Sequence, residues 1–220
     1  MKKIKRFFKK IIDNTIYLTT QQMIDKVRVS LNKFKTLHNK YNLFISNIKI
    51  GSEHYILTQL YKEIDPVQVI HGYNDIVTND YPIIILDDAI YSSNNMCSHV
   101  DELTYNKNIS NKFYVIVAVL GSPDVQLLTM GFNVCVISEL TLTHLQVKNL
   151  FDDYDHEYFH EHFEVESTTV LPLFFEHKIA NGFGSYQFYH QLTTTPISRE
   201  CINIITKQDI KDIIDYYKSS

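Results

Sequence analysis

Two adjacent acids follow directly after an aliphatic run in the stretch IIILDDAIYSSNNM, residues 83–96. Asp87 and Asp88 can offer carboxylate oxygens to the paired hydroxyls of a sugar or to a divalent cation such as Mg²⁺. The small polar residues that come next include Ser92, Ser93, Asn94 and Asn95. They stand at the start of an expected helix, whose free N–H groups favour anions such as a phosphate group. This combination predicts a ribose-phosphate cradle.

Continuous apolar runs alternate with helical spacing through the middle of the chain. The runs predict strands at residues 43–50, 67–70, 83–86, 113–120 and 134–137, with a further strand at 169–175. Apolar residues spaced three and four apart predict helices at 20–41, 52–64, 95–103, 125–130 and 207–218. Strands that are apolar on both faces and alternate with helices are typical of an α/β doubly wound fold with a mostly parallel sheet. Ligands of such folds bind beyond the carboxyl ends of the strands, where Asp87 and Asp88 are expected to lie.

The chain of 220 residues contains only six glycines and five prolines, and no internal repeat or Pro/Gly/Ser-rich linker. This composition predicts one main domain over residues 17–220, preceded by a basic N-terminal segment, residues 1–16. The regular alternation of strands and helices fails after Leu140, so an irregular C-terminal extension is expected from about residue 141 to residue 220.

The stretch that begins at Ile83 resembles the phosphoribosyl-pyrophosphate loop of the type I phosphoribosyltransferases. That loop runs as four hydrophobic residues, two acids, two hydrophobic residues and a small segment rich in Thr and Gly. The matching residues are Ile83–Leu86 for the strand, Asp87 and Asp88 for the acids, Ala89 and Ile90 for the hydrophobic pair, and Ser92 for the usual Thr. The stretch IKIGS, residues 48–52, lies between a strand and a helix, where the family places its pyrophosphate-binding loop. The resemblance covers roughly residues 17–139.

The resemblance implies a phosphoribosyltransferase-like fold and a role for each matching residue. Asp87 and Asp88 would bind the ribose hydroxyls of phosphoribosyl pyrophosphate or a nucleotide, and they are the candidate ligands of Mg²⁺. The segment from Ser92 through Ser93 and Asn94 to Asn95 would hold the 5′-phosphate. Lys49 and Gly51 would contact the pyrophosphate group, whose charge Mg²⁺ neutralises.

Some departures from the family pattern bear on catalysis. Ser93 and Asn94 stand where the family prefers glycine, so the backbone is less free to approach a phosphate group. The function predicted is therefore a phosphoribosyltransferase-like protein that binds a ligand containing ribose 5-phosphate, with its catalytic activity in doubt. The alternatives are an active Mg²⁺-dependent phosphoribosyltransferase, and a structural or interaction protein, such as a viral one, that retains only the fold.

Charge is distributed unevenly along the chain. The formal net charge of −4 argues against general binding of polyanions. The first ten residues nevertheless include the basic residues Lys2, Lys3, Lys5, Arg6, Lys9 and Lys10. Interleaved with apolar residues, they are typical of a helix on an anionic membrane surface, of an arm that contacts nucleic acid, or of a solvated turn before a docked helix. A helix there could also join two copies, so a homo-oligomer is a further expectation.

Two other groups of residues have types that could do chemistry. The stretch 152–166 places His156, His160 and His162 among carboxylates, with the first two spaced as metal ligands on one helix face, although a solvated loop explains it equally. Glu176-His177-Lys178 follows an expected strand and would either line the same cleft or form a surface turn.

Several classes of protein are disfavoured by what the sequence lacks. Cys97, Cys135 and Cys201 lie far apart, which predicts reduced thiols and a cytoplasmic, reducing compartment rather than a disulfide scaffold. We expect neither a secretory signal nor a transmembrane helix, because no apolar stretch has the required length. A Walker loop, a GxGxxG motif and a nucleophile elbow are missing, which argues against an NTPase, a dehydrogenase and an α/β hydrolase.

Overall fold

The computed structural model describes residues 13–46, 52–90, 94–106, 109–122, 134–143, 145–146, 149, 169–170, 172–175 and 178–179. The chain divides into two compact units, one formed by Met1–Gln21 with Thr143–Ser220 and the other by Gln22–Leu142. The one main domain expected over residues 17–220 and its C-terminal extension from about residue 141 stay predictions. The expected helices at 125–130 and 207–218 lie outside the described residues.

The first unit contains short strands from both ends of the chain. They are β1 (Ile16–Leu18), β7 (Leu145–Gln146), β8 (Thr169–Val170), β9 (Leu173–Phe175) and β10 (Lys178–Ile179). β1 pairs in parallel with β9, β10 pairs with β9 in the antiparallel sense, and β7 pairs with β8. The single strand expected at 169–175 is thus two strands, and Pro172, which has no N–H to donate, lies between them.

The second unit contains the sheet and helices that the sequence pattern predicts. Its strands are β2 (Asn42–Ile45), β3 (Gln68–His71), β4 (Ile83–Ile90), β5 (Phe113–Ser122) and β6 (Val134–Thr143), and its helices are α1 (Thr20–Leu37), α2 (Ser52–Leu60) and α3 (Asn94–Asp101). The sheet is parallel, and the order of its strands is β3-β2-β4-β5-β6. The expected α/β fold with a parallel sheet flanked by helices is confirmed.

Helices cover both faces of this sheet. On one face, Ser30 of α1 donates from Oγ to the backbone oxygen of Val117 at 3.1 Å, and the ring of Phe34 packs against Tyr114 at a centroid distance of 5.0 Å. On the other face, a buried cluster joins Val100 of α3 to Val115 of β5. Because successive side chains of a strand point to opposite faces, Tyr114 and Val115 place α1 and α3 on opposite sides.

The chain reverses its direction across the sheet between β2 and β4. From β2 it passes through α2 outward to β3, and from β4 it passes through α3 the other way to β5. The end of α2 lies on the side of α1, since Arg28 Nε donates to Glu63 Oε1 at 2.8 Å. The point of reversal in such a sheet opens a crevice at the edge where the strands end, which we call the carboxyl edge.

Three strands are longer than the sequence predicts, and one of them is β5, which continues past residue 120 to Ser122. β4 continues past Leu86 to Ile90, and it stays paired with β5 up to the pair Ile90 and Leu120. β6 continues to Thr143 instead of ending at residue 137. In β4 the neighbouring strand supplies backbone partners beyond the aliphatic run, and this pairing overrides the low strand propensity of aspartate.

Candidate functional site

Asp87 and Asp88 lie within β4 but beyond the end of its neighbour β2. The register pairs Asn42 with Ile83 and Leu43 with Ile84, so the last residue of β2 falls opposite Leu86. Asp87 is therefore the first residue of β4 that extends past β2, at the point where the topology reverses. The two acids occupy the expected edge of the sheet, although the strand itself does not stop before them.

The two carboxylates differ in accessibility. Asp88 is 0% exposed, whereas Asp87 is half-buried. Each carboxylate accepts the backbone N–H of the following residue: Asp87 Oδ1 from Asp88 at 2.8 Å, and Asp88 Oδ1 from Ala89 at 2.7 Å. Asp87 pairs with Val117, whose side chain belongs to the cluster beneath α3, so Asp87 points toward that face. Asp87 is thus the acid with surface to offer a ligand, and Asp88 is an interior group.

Two helices begin at this edge. α2 begins at Ser52, as the sequence predicts, and α3 begins at Asn94, which is followed by Asn95. Their first turns come directly after the connections from β2 and β4. Ser92, Ser93, Lys49 and Gly51, the other residues expected to contact the ligand, lie outside the described residues. The same applies to His156, His160, His162, Glu176, His177 and the basic residues 1–12.

A group of titratable side chains that the sequence analysis did not single out meets at the same edge. Glu53 follows β2, Tyr73 follows β3, and His99 lies in the helix that follows β4. Tyr73 Oη and His99 Nδ1 form a hydrogen bond. The ring of Phe44 packs beside both, with centroid distances of 5.6 Å to Tyr73 and 5.7 Å to His99. We call Glu53, Tyr73 and His99 the edge cluster.

Glu53 is the group in the edge cluster that changes charge near neutral pH. Burial raises the pKa of Glu53 to about 7, against a smaller opposing effect of the hydrogen bond that it accepts from the backbone of Ser46. Its side chain is 15% exposed, and its Oε1 lies 3.4 Å from His54 Nδ1. Among the described residues His54 Nδ1 has no hydrogen-bond partner, so this approach lacks hydrogen-bond alignment.

The other two members of the edge cluster are uncharged at neutral pH. Burial raises the pKa of Tyr73, and the nearby carboxyl groups of Glu102 and Glu53 raise it further. Burial lowers the pKa of His99. Both groups are neutral, and the tautomer of the imidazole decides which of them donates. Either the hydroxyl of Tyr73 donates to Nδ1 of His99, or the N–H at Nδ1 donates to Tyr73 Oη. The pair is polar but carries no net charge.

A concave feature away from the edge cluster lies along the connection from β3 to β4. It is a cleft of about 500 Å3 lined by residues 74–80 and 109–111. Asn111 Nδ2 donates to the backbone oxygens of Asn79 at 2.8 Å and Tyr81 at 2.7 Å, which ties the segments before β4 and β5 together. These side-chain amides are occupied in hydrogen bonds at the amino ends of β4 and β5. We therefore place the candidate site at the opposite edge of the sheet, the carboxyl edge.

The sequence contains a partial signal for the edge cluster. Each member follows a strand of the predicted parallel sheet, which is where such folds place functional residues. Nothing in the local sequence shows that Glu53 is withdrawn from water, because the residues that surround it come from distant parts of the chain. A search restricted to motifs therefore finds the two aspartates but misses Glu53.

Comparisons with known proteins found no match for this chain. No protein-family model matches the chain, and neither the curated proteins nor the solved structures contain a match. Within the described residues, no three His, Cys, Asp or Glu side chains come together as a metal site. None of the helices described is long and apolar enough to cross a membrane. Cys97 and Cys135 form no disulfide bond within the described residues, and Cys201 lies outside them.

Proposed function

We propose that this protein binds a ligand containing ribose 5-phosphate, such as phosphoribosyl pyrophosphate or a nucleotide, at the carboxyl edge between β2 and β4. One observation carries the proposal: Asp87, half-buried, is the first residue of β4 beyond the end of β2, at the reversal point of the sheet. Ligands of doubly wound sheets bind at such points. The resemblance of residues 83–92 to a phosphoribosyl-pyrophosphate loop supplies the ligand class.

Each part of such a ligand has a counterpart at this edge. The Asp87 carboxylate would accept hydrogen bonds from the ribose hydroxyls. The backbone N–H groups at the start of α3, together with Ser92 and Ser93, would bind the 5′-phosphate, since a helix N-terminus attracts anions. Asp88, below the surface, would act through the backbone of Ala89, which it holds by a hydrogen bond.

Mg²⁺ fits this arrangement as a partner of the ligand's phosphate groups. Magnesium in nucleotide sites is usually held by one or two carboxylates together with substrate phosphates and water. Asp87 is the carboxylate in position to contribute, and the cation would reduce the repulsion between this acid and the anionic ligand. A magnesium ion bound in this way does not require three ligands from the protein.

The alternative of an active phosphoribosyltransferase is favoured by the edge cluster. A carboxyl group with a pKa of about 7 and a Tyr–His pair at one sheet edge are the kind of perturbed groups that acid–base catalysis uses. Release of pyrophosphate in the presence of an acceptor base distinguishes this alternative from binding without turnover.

Titration calorimetry with phosphoribosyl pyrophosphate and Mg²⁺ tests the proposal. We expect saturable binding to the wild-type chain and at least a tenfold loss of affinity in Asp87→Asn. The matched control is Asp80→Asn, which makes the same change at an exposed aspartate just before β4, at the opposite end of that strand. Equal affinities in all three folded proteins, or no binding by the wild type, would refute the proposal and favour the structural alternative.

A further inference from the structure

Glu53 occupies an unusual position for a carboxyl group in the described part of the chain. It is the second residue of α2, where the helix dipole favours a negative charge, yet burial outweighs this effect. The backbone N–H of Ser46, just after the end of β2, donates a hydrogen bond to the carboxyl and so holds it at the carboxyl edge. A side chain that is 15% exposed is withdrawn from bulk water but still reachable by a ligand at this edge.

Among the described residues, no lysine or arginine is paired with Glu53, and its nearest basic group is His54, with Nδ1 at 3.4 Å from Oε1. The titratable groups that approach the edge cluster are His54 from α2, Tyr73 from the connection after β3, His99 from α3 and Glu102 from the turn after α3. Tyr73 and His99 stay neutral, and Glu102 is a second acid. A phosphate group that arrives here adds about 1.5 to 2 negative charges. Like charges disfavour each other's ionised form, so the approach of this anion favours the protonated form of Glu53.

We propose that Glu53 takes up a proton from solvent when a phosphorylated ligand binds at the carboxyl edge, so that ligand binding and protonation of the edge cluster are coupled. This inference rests on the proposed function and adds a specificity group to it. The carboxylate becomes a carboxylic acid with no other change in bonding. It then donates a hydrogen bond to a phosphate oxygen instead of repelling it.

The Tyr73–His99 pair makes Glu53 the site of proton uptake. Its hydrogen bond joins two neutral groups, and their pKa values are shifted by burial away from neutrality in opposite directions. Tyr73 stays neutral when an anion approaches, and burial opposes the protonation of His99, so the comparison with Glu53→Gln assigns the proton uptake to Glu53. Phe44 packs beside both rings, and the charge of Glu53 acts on Tyr73, whose pKa it raises.

The test is calorimetry of phosphoribosyl pyrophosphate and Mg²⁺ binding at pH 7, repeated in two buffers with different enthalpies of ionisation. A carboxyl group with a pKa near 7 is half ionised at this pH, so the wild-type chain should take up about 0.5 proton more than Glu53→Gln. Glutamine retains the shape and the acceptor for Ser46, and it carries no charge. Glu139→Gln, the same change at an exposed site in β6, should match the wild type.

The outcomes separate this inference from the proposed function. Binding with equal proton uptake in the wild type and Glu53→Gln would overturn the coupling and leave the ligand site standing. Absence of binding by the folded wild type would overturn both. A second measurement needs no variant: a pH indicator in weakly buffered wild-type protein should report alkalinisation on addition of the ligand, and a signal equal to that of the ligand and Mg²⁺ alone would overturn the coupling.

Discussion

Replacing Glu53 with glutamine should change how the stability of the fold depends on pH. The pKa of this carboxyl is 4.5 in an exposed setting and about 7 in the folded chain. Between these values the folded state holds a proton that the unfolded state has lost, so the free energy of unfolding falls as pH rises. The contribution is fully favourable below pH 4.5 and is lost by the time the pH has passed 7.

The magnitude follows from the difference between the two pKa values. At about 1.4 kcal/mol per pKa unit, a difference of 2.5 corresponds to about 3 kcal/mol in total, of which about 2.5 kcal/mol falls between pH 5 and pH 8. The side chain is 15% exposed, so little of this is removed by solvent screening. Glu53→Gln lacks the titration but keeps an oxygen for the N–H of Ser46, and it should gain stability relative to the wild type as pH rises.

Urea denaturation at half-unit steps from pH 5 to pH 8 measures the effect. The quantity to plot is the difference in unfolding free energy between Glu53→Gln and the wild type, because the contributions of groups far from position 53 are common to both and cancel. Glu139→Gln is the control: its partner Lys33, at 2.8 Å, lowers the pKa of Glu139, so it does not titrate in this range. If the curves of Glu53→Gln and the wild type run parallel, the carboxyl is not desolvated as described and the reasoning fails.

Two further predictions concern the core and the second aspartate. Leu103→Ala removes a fully buried side chain beneath α3 and should lower the unfolding free energy by about 2 to 5 kcal/mol. Leu37→Ala, at a site 69% exposed, should change the unfolding free energy by less than about 0.5 kcal/mol. Similar midpoints of urea denaturation for the two variants would contradict the packing. Asp88→Ala removes the buried acceptor of the Ala89 N–H and should destabilise the fold by about 1 to 3 kcal/mol, more than Asp87→Ala at the half-buried neighbour. A larger loss in Asp87→Ala, measured by thermal unfolding, would reverse the roles assigned to the two acids.

Most of the second unit could be predicted from local sequence patterns. The aliphatic runs that contain Ile84 and Val115 identify β4 and β5, because strands buried on both faces have continuous apolar sequences. Residues at helical spacing, Met23, Val27, Leu31 and Phe34, are the buried stripe of α1. Ser52 begins α2 as the expected N-cap pattern indicates.

The features that could not be predicted depend on contacts between distant residues. β4 continues through Asp87 and Asp88 because β5 offers backbone partners up to Leu120, and no pattern within residues 83–90 contains that information. The unequal burial of the two aspartates follows from the alternation of side chains in a strand that was expected to have ended. The environment of Glu53 includes Ser46 after β2 and Tyr73 after β3, so its perturbed pKa has no signal in the residues of α2 alone.

The demands of folding alone do not explain the residue types at the carboxyl edge. At pH 8 a glutamate at position 53 is less favourable for stability by about 3 kcal/mol than a group of the same shape that does not ionise, and a glutamine would satisfy the N–H of Ser46 equally well. Glu53 lies where a doubly wound sheet binds its ligands, and a charged group held at a cost in stability at such a place is a candidate for a role in the binding proposed above.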